Sequence, residues 1–265
     1  MFLTVDNQAV FAATGGKDFD AAKPTVIFIH GAGMDHTCWQ LQSRWFAWHG
    51  WSVLAIDLPG HGRSAGKPLG AIIDMAGWIG RLMDSAELET ATLVGHSMGA
   101  IIAMEAATTF PARIDGLALL GASAAMPVHP TLLDAAKNNP TEAYLMMTAW
   151  SHGKGAKMGR NKVPGIWMTG NALAVFERNL PGVLFTDLSA CADWATGPDT
   201  AVRIGCPVQV ITATQDMMTP ARKGRELAGL ITTSQLTELD DCGHMMMAET
   251  PDAVLDALIG CLGPG

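Results

Sequence analysis

The stretch Leu93-Val94-Gly95-His96-Ser97-Met98-Gly99-Ala100 constrains this chain more than any other. Thr90 to Val94 is β-branched or apolar, the pattern of a strand buried inside a parallel sheet. Met98 to Ala107, MGAIIAMEAA, is small or helix-forming throughout. Between them stands Ser97, with Gly95 two positions before it and Gly99 two after. A serine at the tip of such a sharp turn takes a strained backbone, and the glycines leave room for it. Its hydroxyl then stands clear of the sheet. The amide of Met98, at the helix N-terminus, points toward any anion forming beside it.

The rest of the chain repeats this alternation. Phe2–Val5 and Ala9–Ala12 read as short strands about an Asp6-Asn7 turn. Thr25–Ile29 is apolar end to end, as a strand covered on both faces would be, and runs into the loop His30-Gly31-Ala32-Gly33. Thr37–Trp48 carries Trp39, Leu41, Trp45 and Phe46 at helical spacing, with Gly50 as its stop. Trp51–Ile56 is a further buried strand, leading into DLPGHGRS at 57–64. Ile72–Glu87 reads as a helix, and Gly116–Leu120 as the strand after the Ser97 unit. Pro207–Ala213 and Ser234–Leu239 read as strands. Thr219–Ile231 reads as a helix with Pro220 in its first turn, and Pro251–Leu262 as a last helix capped by Thr250, before a frayed Gly263-Pro264-Gly265.

Strand alternating with helix predicts an α/β fold, a mostly parallel central sheet flanked by helices. His30, Asp57, Ser97 and Gly121 all fall at strand C-termini, so they converge on one sheet edge, where ligands bind in such folds. From Ala122 to about Gly205 the alternation stops. Thr131–Lys137, Thr141–Ser151 and Asn171–Asn179 read as helices between Gly/Pro-rich linkers such as HGKGAKMGRNKVPG at 152–165. The expected division is a core of residues 1–121 and 206–265 and a helical lid, or cap, of residues 122–205.

Composition narrows the partners. Hydrophobic residues make up 49% of the chain, with sixteen Met and eight Trp, and charged residues only 16%. Globular chains usually carry roughly 25% charge, so a large apolar interior with an apolar pocket is expected. A formal net charge of −8 and no basic run argue against nucleic acid. There is no signal-like leader, and no run near the ~18–20 apolar residues of a spanning helix. A cytoplasmic monomer or homodimer without stable membrane insertion is therefore expected. The five cysteines include no C-x-x-C pair and read as reduced thiols. No H-E-x-x-H, phosphate loop or strand-borne G-x-G-x-x-G occurs, so neither a metal nor a nucleotide cofactor is expected.

Five motifs, HGAG at 30–33, DLPGHGRS at 57–64, GHSMG at 95–99, TQDMMTP at 214–220 and GHMMMAETP at 243–251, stand in the order found in the α/β-hydrolase superfamily. Over nearly the whole chain outside the lid, the sequence resembles a serine-esterase-like member with a nucleophile elbow. A serine hydroxyl is a weak nucleophile at neutral pH and needs a base within hydrogen-bond reach and a third group to orient that base. The resemblance implies Ser97 as nucleophile, His244 as base and Asp216 as orienting acid, with the amides of Ala32 and Met98 as oxyanion hole. Asp240 and Asp241 are rival acids on the wrong loop. The family's other acid position holds Gly121-Ala122 here, which favours Asp216. His30 is expected to order the oxyanion loop, His96 to support packing behind the elbow, and His61 and Arg63 to brace the Asp57 turn. Gly31, Met126, Trp150, Trp167, Met217 and Met245 are expected to line the substrate pocket, with His36, His129 and His152 as further candidates.

The implied reaction is hydrolysis of a small-molecule ester through an acyl-enzyme on Ser97, without a cofactor. The Met-rich loops favour a small to medium apolar ester. Serine at the elbow argues against epoxide hydrolases and haloalkane dehalogenases, whose relatives carry Asp there. Carbon–carbon bond hydrolases and cofactor-free perhydrolases share the triad and stay open. So does, in another class, a non-catalytic ligand-binding or receptor protein on this scaffold. A histidine base accepts a proton only when neutral, and an unperturbed imidazole titrates near ~6.5. Hence kcat/KM is expected to fall on the acid side.

Overall fold

The computed structural model describes residues 1–160, 165 and 167–263. Its strands are β1 (Phe2–Val5), β2 (Gln8–Ala13), β3 (Thr25–Ile29), β4 (Ser52–Ile56), β5 (Ala91–His96), β6 (Ile114–Leu120), β7 (Val208–Ala213) and β8 (Ser234–Leu239). Among the described residues they form one eight-stranded sheet, in the order β1-β2-β4-β3-β5-β6-β7-β8. The β1–β2 hairpin turns on Asp6 and Asn7, both at positive φ (51° and 60°), the left-handed pair that a tight hairpin turn takes. β2 joins β4 antiparallel, and every later neighbour pairs in parallel. β3, β4 and β5 are buried at every position, which is why their sequences show no polar face.

The helices are α1 (Gln40–Trp48), α2 (Ile72–Ser85), α3 (Met98–Thr109), α4 (Pro130–Asn138), α5 (Pro140–Ser151), α6 (Lys154–Lys157), α7 (Met168–Glu177), α8 (Val183–Asp193), α9 (Gly197–Arg203), α10 (Ala221–Leu230), α11 (Met246–Glu249) and α12 (Pro251–Leu262). α3 is buried without a break from Met98 to Ala107, so it is apolar on all sides. Its one acid, Glu105, is satisfied by Trp194 Nε1–H at 2.7 Å and by the hydroxyls of Thr196 and Thr200 at 2.5 and 2.8 Å. This carboxylate anchors α9 and the segment before it to the helix behind the elbow.

Several local expectations change. The helix expected over Thr37–Trp48 divides into a 3-10 turn, His36–Trp39, and α1, because Asp35 caps the turn by accepting from Thr37 N–H at 2.9 Å. α10 begins only at Ala221, with Pro220 outside it, because Thr219 is held by Asp216. Thr250 stands at the N-cap of α12 with Pro251 in its first turn, as expected, but its hydroxyl donates to Met246 O at 3.4 Å and makes no cap bond. Within 121–207 the three expected helices are present as α4, α5 and α7, and α6, α8 and α9 are additional. Residues 161–164 of the expected 152–165 linker, and Pro264-Gly265 of the frayed end, lie outside the described residues. β6 and β7 pair directly, Leu117 with Val208 through Leu120 with Ile211, so the segment carrying α4–α9 leaves the sheet and returns to the adjacent strand.

Candidate active site

Ser97 lies between β5 and α3 with φ 55° and ψ −116°. Such a backbone costs a residue with a side chain about 1–3 kcal/mol and persists only where its surroundings hold it. Ser97 N–H donates to Leu120 O at 2.9 Å, and Ser97 O accepts from Ala100 N–H at 3.0 Å. A Cβ on Gly95 would overlap the Gly99 carbonyl, and one on Gly99 would overlap the Ile29 carbonyl. The two glycines of the motif are thus required by the closeness of strand and helix. Met98 is the first residue of α3, where amides have no acceptor within the helix.

His244 and Asp216 come together from the loops after β8 and β7. His244 Nδ1–H donates to Asp216 Oδ2 at 2.7 Å. Asp216 Oδ1 accepts from the amides of Met218 and Thr219, each at 2.8 Å, and Oδ2 also accepts from the Thr219 hydroxyl at 2.8 Å. Burial pushes this carboxyl up, but the His244 imidazole and the Thr219 donors outweigh it and hold it below its usual range. With Nδ1 committed as donor, His244 keeps its Nε2 lone pair free to accept a proton. A Cβ on Gly121 would come within 2.9 Å of His244 Cε1, so this bare position makes room for the imidazole.

His96 has a more specific place than packing behind the elbow. Its Nε2–H donates to the His244 carbonyl at 2.9 Å, and the two rings lie 4.5 Å apart. Burial, with the neighbouring His244, brings its pKa down to about 3, so it is a neutral donor. Glu249 holds the same loop from below. Its oxygens accept from Gly243 N–H at 3.0 Å and from Gly153 N–H, just past α5, at 2.9 Å.

The loop after β3 is shaped by His30, as expected. Its Nδ1–H donates to Gly31 O at 2.9 Å, and its Nε2 accepts from Leu58 N–H at 3.1 Å. Gly31 packs so closely that a Cβ would lie 3.0 Å from His96 Nδ1 and 3.3 Å from Ser97 Cβ. Arg63 N–H donates to Asp57 Oδ2 at 2.9 Å and His61 Nδ1 meets Pro59 O at 3.0 Å, both in line with bracing that turn, and His61 Nε2 also reaches Asp187 on α8.

Ser97 and Ala32 open onto a cavity of about 410 Å³. Of the expected pocket residues, Met126, Trp150 and Met217 line it. Met245 instead lines a small void of about 30 Å³ beside Met34 and His152. Trp167 is 76% exposed to solvent. His129 lines the main cavity, while His36 donates through Nδ1 to Asp57 at 2.8 Å. The sequence reading missed Val128, Leu132, Met147 and Leu188 as apolar walls, and Arg222 and Lys223 as cationic ones. Helical periodicity placed Leu132 and Met147 on helices without saying which face meets the site.

Among the described residues, Asp35, His36 and Asp57 bring ligand-type atoms within 4.8 Å of one another. Each is already engaged: Asp57 Oδ1 by His36, Asp57 Oδ2 by Arg63, and Asp35 by Thr37 and Arg178. No described helix is long and apolar enough to cross a membrane.

A mostly parallel sheet that presents a strained serine, a histidine and a buried carboxylate at one edge defines the nucleophile-elbow class of α/β proteins. The chain belongs to the alpha/beta hydrolase family, which it matches over residues 26–257. It is 39% identical over 121 residues to the dihydrolipoyllysine-residue acetyltransferase component of the acetoin cleaving system of Cupriavidus necator, a match covering 45% of this chain and 31% of that protein. The chain thus spans under a third of that relative's length. It is 23% identical to the (E)-2-((N-methylformamido)methylene)succinate hydrolase of Acinetobacter baylyi, over 88% of each chain. Among solved structures, the enol-lactonase from Burkholderia xenovorans superposes with a TM-score of 0.87 over 99% of each chain at 23% identity, a likeness of fold.

Proposed function

We propose that this protein is a serine hydrolase that cleaves small to medium apolar esters. The observation that carries the reading is the 2.7 Å bond from His244 Nδ1–H to buried Asp216, on loops that leave the same sheet edge as a strained Ser97 on the wall of a largely apolar cavity. Ser97 Oγ attacks the ester carbonyl carbon while its proton passes to His244 Nε2. Asp216 then faces the imidazolium it helps to form. The carbonyl oxygen becomes an oxyanion against the amides of Ala32 and Met98, each such donor contributing about 3–4 kcal/mol in the transition state. The proton returns to the departing alcohol, leaving Ser97 acylated. Water, deprotonated by His244, attacks the acyl carbon and frees the acid. The helices α4, α5 and α8 supply cavity walls over the sheet edge and act as the lid in this reading.

The test is steady-state turnover of chromogenic esters of rising acyl length. Lactones, as cyclic esters, belong in the same panel, since a structural neighbour is an enol-lactonase. Wild type should turn over the short and medium members, and Ser97→Ala should lose at least about 10³-fold in kcat. Turnover that survives in Ser97→Ala, or is absent across the whole panel in the wild type, overturns the reading.

A further inference from the structure

We propose that Asp187 is a positioning residue through which the helices between β6 and β7 hold the oxyanion loop in register with Ser97. This rests on the serine-hydrolase reading above. Asp187 lies within α8 and is fully buried. Its Oδ2 accepts from Gly33 N–H at 2.8 Å and from His61 Nε2–H at 2.8 Å. Gly33 directly follows Ala32, whose amide is assigned to the oxyanion.

The two peptide planes on either side of the Ala32 Cα are each tied down. A peptide is planar, with its C=O and N–H pointing in opposite directions. The bond from His30 Nδ1–H to Gly31 O therefore aims the Ala32 N–H of that same plane. The next plane is fixed by Gly33 N–H on Asp187. The neighbouring helices close on this loop at further points. Gly33 has φ +66°, and a Cβ there would come within 2.9 Å of Leu184 Cδ1 and 3.2 Å of Phe176 Cδ1. Asn179 Nδ2–H donates to Gly33 O, and Arg178 Nη2–H donates to Asp35 Oδ2 at 2.6 Å.

The charge of Asp187 also has a counterpart. His61 Nδ1 faces Pro59 O at 3.0 Å while Nε2 faces Asp187, so both ring nitrogens meet acceptors. Only the imidazolium donates to both. Burial pushes His61 down, and the Asp187 carboxylate outweighs it, leaving its pKa raised. Asp187 Oδ1 is buried with no partner among the described residues. A carboxylate kept there at such expense is explained by the two bonds at Oδ2, one of which reaches the oxyanion loop.

The test compares Asp187→Leu with Asp187→Asn in the full chain. Active sites are counted by stoichiometric labelling of Ser97 with a fluorophosphonate, and kcat is reported per labelled site. Asp187→Leu should lower kcat per site about tenfold or more while KM for a small neutral ester stays near wild type, because a displaced donor weakens the transition state and not ground-state binding. Asp187→Asn should restore most of the loss: its amide oxygen, placed where Oδ2 stands, can accept from both Gly33 N–H and His61 Nε2–H. A kcat per site within about twofold of wild type in Asp187→Leu, or no rescue by Asn, overturns the proposal. If the leucine variant does not fold, Asp187→Ser replaces it. Amide exchange of residues 31–35 is the second readout and should quicken in the Leu or Ser variant. Unchanged exchange there overturns the clamp. Should no ester be turned over by the wild type, the hydrolase reading falls, and exchange alone then decides whether Asp187 holds the loop.

Discussion

Glycines decide as much at this site as the reactive side chains. Gly121 has φ +58° and faces the His244 imidazole. Gly121→Ala adds backbone strain and a methyl 2.9 Å from Cε1, so the imidazole must shift. It is expected to lower kcat at least about tenfold at little-changed KM, since a misplacement near 1 Å can cost about 10²-fold. Steady-state kinetics on the best ester checks it. The proposed triad, Ser97, Asp216 and His244, and the elbow glycines were legible as candidates in the sequence, because local motifs carry them. The supporting contacts were not. His96 donating to the His244 carbonyl, and His61 turning to Asp187, join residues 148 and 126 positions apart, and no local pattern reports such pairs.

At the scale of elements, the inner strands β3 to β7 read clearly, because two-sided burial leaves runs of β-branched and apolar residues. The helices of 121–207 read in part. α4, α5 and α7 show apolar spacing, whereas α8 and α9 begin at Pro181-Gly182 and Gly197-Pro198, dipeptides that look like linkers. Here they start helices instead: Gly182 takes φ 85° at the α8 N-cap, and Pro198 sits in the first turn of α9. The loop carrying His244 depends on Glu249, which receives one amide on each oxygen. Glu249→Gln keeps the volume but turns an NH₂ toward one of those amides. It should destabilise by about 1–3 kcal/mol, the usual cost of an unmet buried donor, and lower kcat with it. Urea unfolding and kcat per labelled site check the two effects together.

At the scale of the whole molecule, the His61–Asp187 pair links the 57–64 turn to α8 across the boundary between core and intervening helices. Its pH dependence follows from the raised pKa of His61, whose neighbours are Asp187, Asp57 and a His30 brought down to about 4 by burial and by His61 itself. The unfolded chain protonates this histidine near ~6.5. The pair's stabilisation is therefore complete below that pH and is lost as pH rises through the raised folded value. Thermal unfolding should show wild type losing stability between these two points, with Asp187→Asn losing less over the same window. Parallel curves would contradict this. β6 and β7 stand side by side although residues 121–207 separate them in sequence. The entropy of closing so long a connection grows only logarithmically, by about 0.6 kcal/mol for each doubling of its length. Chain connectivity thus sets almost no limit on what can be spliced between these two strands. The limit lies in a few returning atoms, Asp187 and Asn179 on Gly33 and Gly153 on Glu249, so a transplanted cover that lacked them would leave the sheet intact and the loops after β3 and β8 unmoored.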